Sequence, residues 1–312
     1  MAFKQAIDIY ELLDDPGING EKVAEFFKEV GIENVEVKRV HGKRGYTDFV
    51  KVIIPGKNGK INGGKAPTLG VIGRLGGIGA RPEVIGFVSD GDGAASALTT
   101  ALKIGTMNIK GDVLLGDVIV TTHVCPNAPT LPHDPVPFMD SPVDIATMNE
   151  YEVDKTCDAI LSIDTTKGNR LVNYKGITIT PTVKSGYILK VSYDLIDTLE
   201  KTSGKSAVVL PLAVQDITPY GNDVTHVNSI LQPAVATDAP VVGVAITTQT
   251  LVAGCASGAS HIEDISGAAD FAVEVAKYYG CGKCEFYSEE EFKRLEKLYG
   301  SMKHLQTAGK AE

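Results

Sequence analysis

Side chains able to do chemistry recur at one kind of position in this chain, just past an apolar run. Arg74 follows "LGVIG", Asp90 and Asp92 sit in "SDGDG", and His123 and Cys125 end the run "DVIVTTHVC". Asp164 ends "AILSID", Asp223 and His226 lie in "YGNDVTHV", and His261, Glu263 and Asp264 lie in "SHIEDI". Carboxylates and imidazoles converging from separate segments form the donor set that a divalent ion such as Zn²⁺, Mn²⁺ or Co²⁺ takes. Each residue also has a structural use. Asp90 can cap the following helix, Asp164 can close the turn "TTKG", and His261 can belong to a helix-start cluster. His123 and Cys125 remain open to three uses: metal or substrate contact, a base–nucleophile pair, or the end of a strand.

Two further motifs carry less. "CGKC" (281–284) has the spacing of half a zinc knuckle or a redox pair, but no second such pair accompanies it. "GRLGGIG" is glycine-rich without the dinucleotide fingerprint or the P-loop lysine and serine.

The elements that must position these residues follow from periodicity. Helical spacing of apolar residues marks 3–15, 20–30, 93–104, 187–203, the segment "SGAADFAVEVAKYYG" and the tail "SEEEFKRLEKLYGSMKHL". "VEVKRV", "DFVKVIIPG", "PTLGVIG", "DVLLGDVIVTTHV", "DAILSIDTT", "AVVLPLAVQD" and "APVVGVAITTQ" read as strands, several of them buried on both faces. The alternation predicts an α/β fold, a three-layer sandwich with a mixed, mostly parallel sheet and helices on both faces. Ligands in such sheets bind outside the carboxyl ends of the strands, where these candidates fall. No linker breaks the chain, so the expected organisation is one domain over 1–280 and a helical extension over 281–312.

Composition narrows the function classes. At 312 residues with 43% hydrophobic and 22% charged, the chain reads as an ordinary globular protein. A formal charge of −9 argues against nucleic-acid or anionic-membrane partners. No run reaches transmembrane length. An odd set of five cysteines and an acid-bearing N-terminus without a signal-peptide core lead to an expectation of reduced thiols in the cytoplasm.

In order and spacing the chain resembles the co-catalytic zinc aminopeptidase superfamily, closest to its glutamyl-aminopeptidase/endoglucanase-like branch. The resemblance rests on "LDDPGINGEKVAEFFKEV", "DFVKVIIPGKNGK", "SDGDGAASAL", "AILSIDTT", "YGNDVTHV" and "GASHIEDISGAADFAVEVAKYY", over about residues 5–280. It implies a zinc-peptidase/phosphorylase-hydrolase-like fold. It places metal-binding roles at Asp90, preferred over Asp92 by its D-x-x-G spacing, and at Asp164 and His261. The chain departs from the pattern where Arg74, Gly76 and Gly77 stand in the first metal loop and "THVCPN" stands in place of paired glutamates. Only 15 residues separate Arg74 from Asp90, so the branch's inserted lid domain is missing and a small homo-oligomer is expected. The whole chain also resembles a bacterial family of about this length, which supplies no activity.

The resulting expectation is a metal-dependent hydrolase of a peptide or small amide bond. It would hold one divalent metal (Zn, or Mn/Co) on Asp90, Asp164, His261 and His123, with His123 or Glu263 as the base. Arg74, Asp223 and Cys125 would contact a small-molecule or peptide substrate, Arg74 by gripping a carboxylate bidentately. The alternative expectation is a non-catalytic, peptidase-like protein that binds a small acidic metabolite or peptide. A third, a cysteine-dependent enzyme, would use Cys125.

Overall fold

The computed structural model describes residues 1–134, 136–220, 222–250 and 257–307. Cys255 and most of the "TLVAGCA" loop lie outside the described residues. The chain opens with helices α1 (Phe3–Asp14) and α2 (Gly20–Glu29) and strands β1 (Val35–Gly42), β2 (Gly45–Ile54) and β3 (Leu69–Gly73). Helix α3 (Asp92–Ile109) leads to β4 (Val118–Val124), the short pair β5 (Thr130–Leu131) and β6 (Phe138–Met139), and α4 (Ile145–Glu152). Then come β7 (Ala159–Thr165), β8 (Gly176–Ile179), β9 (Val183–Lys184), β10 (Tyr187–Ile188) and α5 (Tyr193–Ser203). Strand β11 (Val241–Thr247) and helices α6 (Ile262–Gly280) and α7 (Glu289–Tyr299) complete the order.

The main sheet has nine strands in the order β1-β2-β4-β3-β7-β11-β9-β10, with β8 also paired to β11. Its centre, β4-β3-β7-β11, is parallel, and antiparallel partners flank it on both sides. Every residue of β3, β4 and β11 is buried, which explains why their sequences do not alternate apolar with charged residues. One face packs on α1, α2, α3, α5 and α6 through a large cluster that includes Phe27, Leu98, Val71, Leu161, Val244 and Phe271. The opposite face, carrying Ile72, Ile160 and Ala245, is covered more thinly. Helix α4 and the 3₁₀ turns Val214–Ile217 and Gln232–Val235 lie there. The fold is therefore the expected α/β arrangement, with unequal outer layers. Among the described residues no helix is long and apolar enough to cross a membrane.

Two expected elements differ. The helix expected over 187–203 begins only at Tyr193, because Ser192 caps it through Leu195 N–H and Tyr187–Ile188 pairs with β9 instead. The strand expected in "AVVLPLAVQD" is reduced to an isolated bridge from Val209 to Ile179, followed by the 3₁₀ turn. Pro211 interrupts that run and has no N–H to extend a ladder.

The start of α3 fixes the functional edge of the sheet. A Cβ at Gly93 would lie 2.6 Å from the Arg74 carbonyl oxygen and 2.7 Å from that of Ile163. Only glycine lets the helix start sit directly on the ends of β3 and β7. That contact carries Asp90 and Asp92 to the carboxyl ends of the central strands.

Candidate functional site

A cavity of about 730 Å³ opens at this edge, lined in part by Asp90, His123, Cys125, Asp164, Lys167 and Ser229. Behind it runs a row of polar side chains set by strand register. Ile72 pairs with Thr121 on one side and Ser162 on the other. One full pleat further, Arg74 stands between His123 and Asp164 on the same sheet face.

Glu152, the last residue of α4, locks this row and was not singled out from sequence. Its carboxylate accepts from Arg74 Nη1 and contacts His123 Nδ1, each at 2.5 Å, and all three side chains are essentially inaccessible. The Gly76 N–H donates to His123 Nε2 at 3.0 Å. That nitrogen therefore carries no proton, and Nδ1–H is the donor to Glu152. His123 is a neutral imidazole with both nitrogens engaged, which leaves neither for a metal ion or a substrate proton. Phe49, 5.5 Å from the His123 ring and stacked on Tyr151, closes the network from the side. Burial alone would raise the Glu152 pKa; the Arg74 charge and the His123 hydrogen bond outweigh it and hold the carboxyl below its ordinary value.

Arg74 is likewise turned inward. Its residue is 0% exposed, Nη1 also reaches Asn149 Oδ1 at 3.3 Å, and it is not among the residues lining the cavity. Arg74, expected to grip a substrate carboxylate bidentately, lies behind the cleft wall rather than in it.

Asp90 and Asp164, expected from separate strand ends, both line the cleft. Asp164 accepts from its neighbour's Thr165 N–H at 2.7 Å and from Ser229 Oγ at 3.1 Å. It forms no ion pair among the described residues. Burial is the main cause that pushes its pKa up to about 6, against the opposing pull of the Thr165 N–H and of Arg74. Asp92 does not line the cleft; it is bonded to Lys167 Nζ at 3.2 Å and Ser260 Oγ at 2.5 Å, and burial lifts its pKa to about 6 as well. Lys167, whose side chain is 6% exposed, is thereby held at the cleft wall, with a second bond to the Ala259 carbonyl at 3.2 Å.

The remaining candidates separate. Asp223 is exposed, with φ of 61°, and its loop lines the cleft through Tyr220 and through His226, Val227, Asn228 and Ser229 instead. His261 is the residue before α6 and makes no capping bond through its side chain. Glu263 is exposed in the first turn of that helix. Neither lines the cleft. Among the described residues, the segment around them reaches the site through the Ser257 carbonyl, which accepts from Ser89 N–H at 2.7 Å, through Ser260 and through the Ala259 carbonyl. Cys125 lines the cleft but is 3% exposed and donates to the Tyr46 carbonyl at 3.6 Å. Burial pushes its thiol up to about 12, so it is no thiolate nucleophile at neutral pH.

Among the described residues no three His, Cys, Asp or Glu side chains are grouped to hold a metal ion. With His123 spent on Glu152 and Gly76, and His261 outside the cleft, the expected four-residue set does not fit a zinc centre. The charge of the cleft has a definite sign instead. Asp90, Asp140, Asp144 and Asp164 line it against one cation, Lys167, which Asp92 already neutralises. Arg44 pairs with Asp140 and Asp144 caps α4 through Thr147 N–H, whereas Asp164, 2% exposed, has no ion-pair partner among the described residues.

Residues 38–309 match the model of a family described as "Protein of unknown function (DUF1177)". No curated protein matches the chain.

Proposed function

The chain belongs to the DUF1177 family, whose description assigns no activity, and we propose from the cleft that it binds a small molecule or short peptide bearing a protonated amine. The observation that carries this reading is Asp164: a buried carboxyl at a strand end, hydrogen-bonded to Ser229, without an ion-pair partner among the described residues, and raised to about 6. A carboxylate so placed gains a charge-assisted hydrogen bond when an ammonium group arrives. The four-aspartate lining favours the same sign of ligand and argues against an acidic metabolite. A thermal-shift comparison of isopropylamine with isobutyrate, two ions of one shape and opposite charge, tests it. The amine should stabilise the wild type and fail on Asp164→Asn. Stabilisation by isobutyrate, or by the amine equally in both proteins, would reject the reading.

A second reading keeps hydrolysis of a peptide or small amide bond, supported by Asp90 and Asp164 reaching one cleft from separate strands. Asp164, titrating near neutrality, would be the group that holds and moves a proton. Chelator-sensitive release of product from alanyl-alanine would favour it in metal-dependent form. Product release insensitive to chelator would leave the chemistry to these carboxyls alone.

A further inference from the structure

Leu75, directly after Arg74 at the end of β3, has a left-handed backbone with φ of 56°. That conformation crowds Cβ against the following carbonyl oxygen, and leucine has no polar side chain to offset it locally as Asn or Asp does. Hydrogen bonds on both sides hold it there. Arg74 N–H donates to the Ile163 carbonyl at 2.8 Å, and Gly76 N–H donates to His123 Nε2 at 3.0 Å. Glycine would take the same backbone without strain. The chain carries instead a leucine that is only partly buried and lines the cleft. Strain of this kind at the edge of a cavity points to a use for the side chain it presents.

Strand register sets the distance from Leu75 to the carboxyl that takes the amine. Gly73 pairs with Ile163 in the parallel strands β3 and β7. Leu75 therefore emerges beside Asp164 and Thr165, about one strand spacing, or about 4.8 Å, away. A second element brings apolar surface to the same place. Met139 of β6 lies on the backbone of Gly77, where a Cβ would come within 2.9 Å of Met139 Cγ. Phe138, paired with Leu131 across the β5–β6 ladder, is 42% exposed and lines the cleft with Met139. The pair Arg44–Asp140 and a bond from Asp140 N–H to the Pro129 carbonyl at 2.8 Å hold these two residues in place. An isobutyl group, a thioether chain and a phenyl ring thus border the cavity, and each keeps surface that a ligand can cover.

We propose that Leu75, Phe138 and Met139 form a subsite for a hydrocarbon group borne on the ligand's ammonium-bearing carbon, with Leu75 as the residue that sets specificity. This rests on the amine reading and narrows its substrate class to amines or peptides whose amine-bearing carbon carries a branched or aromatic substituent. Asp164 holds the ammonium, and the substituent covers the apolar surface that Leu75 and the β5–β6 pair leave exposed to water.

Isopropylamine and α-methylbenzylamine share an ammonium on a methyl-bearing carbon and differ by a phenyl ring in place of the second methyl. Calorimetric titration should show α-methylbenzylamine binding the wild type at least about 10-fold more tightly, the gain for burying a side chain of that size. The ratio of the two affinities should fall in Leu75→Gly, which suits the left-handed backbone, and in Phe138→Ala, which truncates an exposed ring. NMR of the wild type gives a readout independent of any variant. Intermolecular NOEs should connect the ligand's phenyl protons to the Leu75 methyls. A wild-type ratio near one, a ratio unchanged in both variants, or phenyl protons without NOEs to Leu75 would overturn the subsite, while binding of isopropylamine that depends on Asp164 leaves the amine reading intact. Failure of both amines to bind would overturn the two together.

Discussion

Replacing Asp164 by Asn should make the protein more stable at neutral pH while removing its ligand site. The carboxyl is 2% exposed, and its pKa stands at about 6 against an ordinary 3.8. The folded state thus binds this proton more tightly than the unfolded chain does. The stability contributed by that proton is present below pH 3.8 and is lost as pH rises through about 6. At 1.36 kcal/mol per pH unit, carrying the ionised group above pH 7 costs the fold about 3 kcal/mol. Asparagine is nearly the same shape, can still accept from Thr165 N–H, and can meet Ser229 once the hydroxyl rotates, so little else is lost. Urea titrations of both proteins between pH 4 and 8 measure the difference. The variant should gain up to about 3 kcal/mol at pH 7 to 8, and the gap should close towards pH 4. A variant no more stable than wild type at pH 8, or a gap that does not change with pH, would refute the reasoning. The proposed role of Asp164 in holding a ligand's amine would account for such a cost to stability.

Three other outcomes follow from the same geometry. Glu152→Ala leaves the Arg74 guanidinium buried without its carboxylate and should cost about 3–5 kcal/mol in denaturant unfolding, far more than an exposed ion pair would. Gly76→Ala would place a Cβ 1.7 Å from the His123 carbonyl oxygen. It should therefore destabilise the fold by at least about 2 kcal/mol by the same measurement. Mapping of alkylated peptides at pH 8 should find Cys281, which is exposed, modified in the native protein. Cys125, Cys157 and Cys284, buried with thiols pushed up to about 12, should react only after unfolding.

The architecture was legible because it is written in local patterns. The apolar runs of β3, β4, β7 and β11 and the small-residue face of α3 each signal their element without help from distant residues. The strand-end rule also led to Asp90, His123 and Asp164, which do meet at one cleft. What each side chain does there was not legible, because it depends on partners far away in sequence. His123 is fixed by Glu152, 29 residues on, and by the Gly76 N–H, 47 residues back. "NEYE" at the end of a short helix gives no sign that its last residue is the buried counter-ion of Arg74. The loop "YGNDVTHVNS" did reach the site, but through His226, Asn228 and Ser229 rather than the Asp223 that the family resemblance pointed to. Asp216 pins that loop, and nothing in the sequence around residue 216 announces it.

The most direct measurement of the central claim is the proton balance of amine binding. An ammonium group seated on Asp164 requires the carboxylate, so binding should drive off the proton that the free protein holds near pH 6. Isothermal titration of isopropylamine at pH 6 in two buffers of different ionisation enthalpy counts that proton. The expected result is net release of a substantial fraction of one proton in the wild type, vanishing in Asp164→Asn, with affinity falling as pH drops through 6. Binding with no proton exchange, or with proton uptake, would contradict the assignment of Asp164 as the group that holds the ligand's amine.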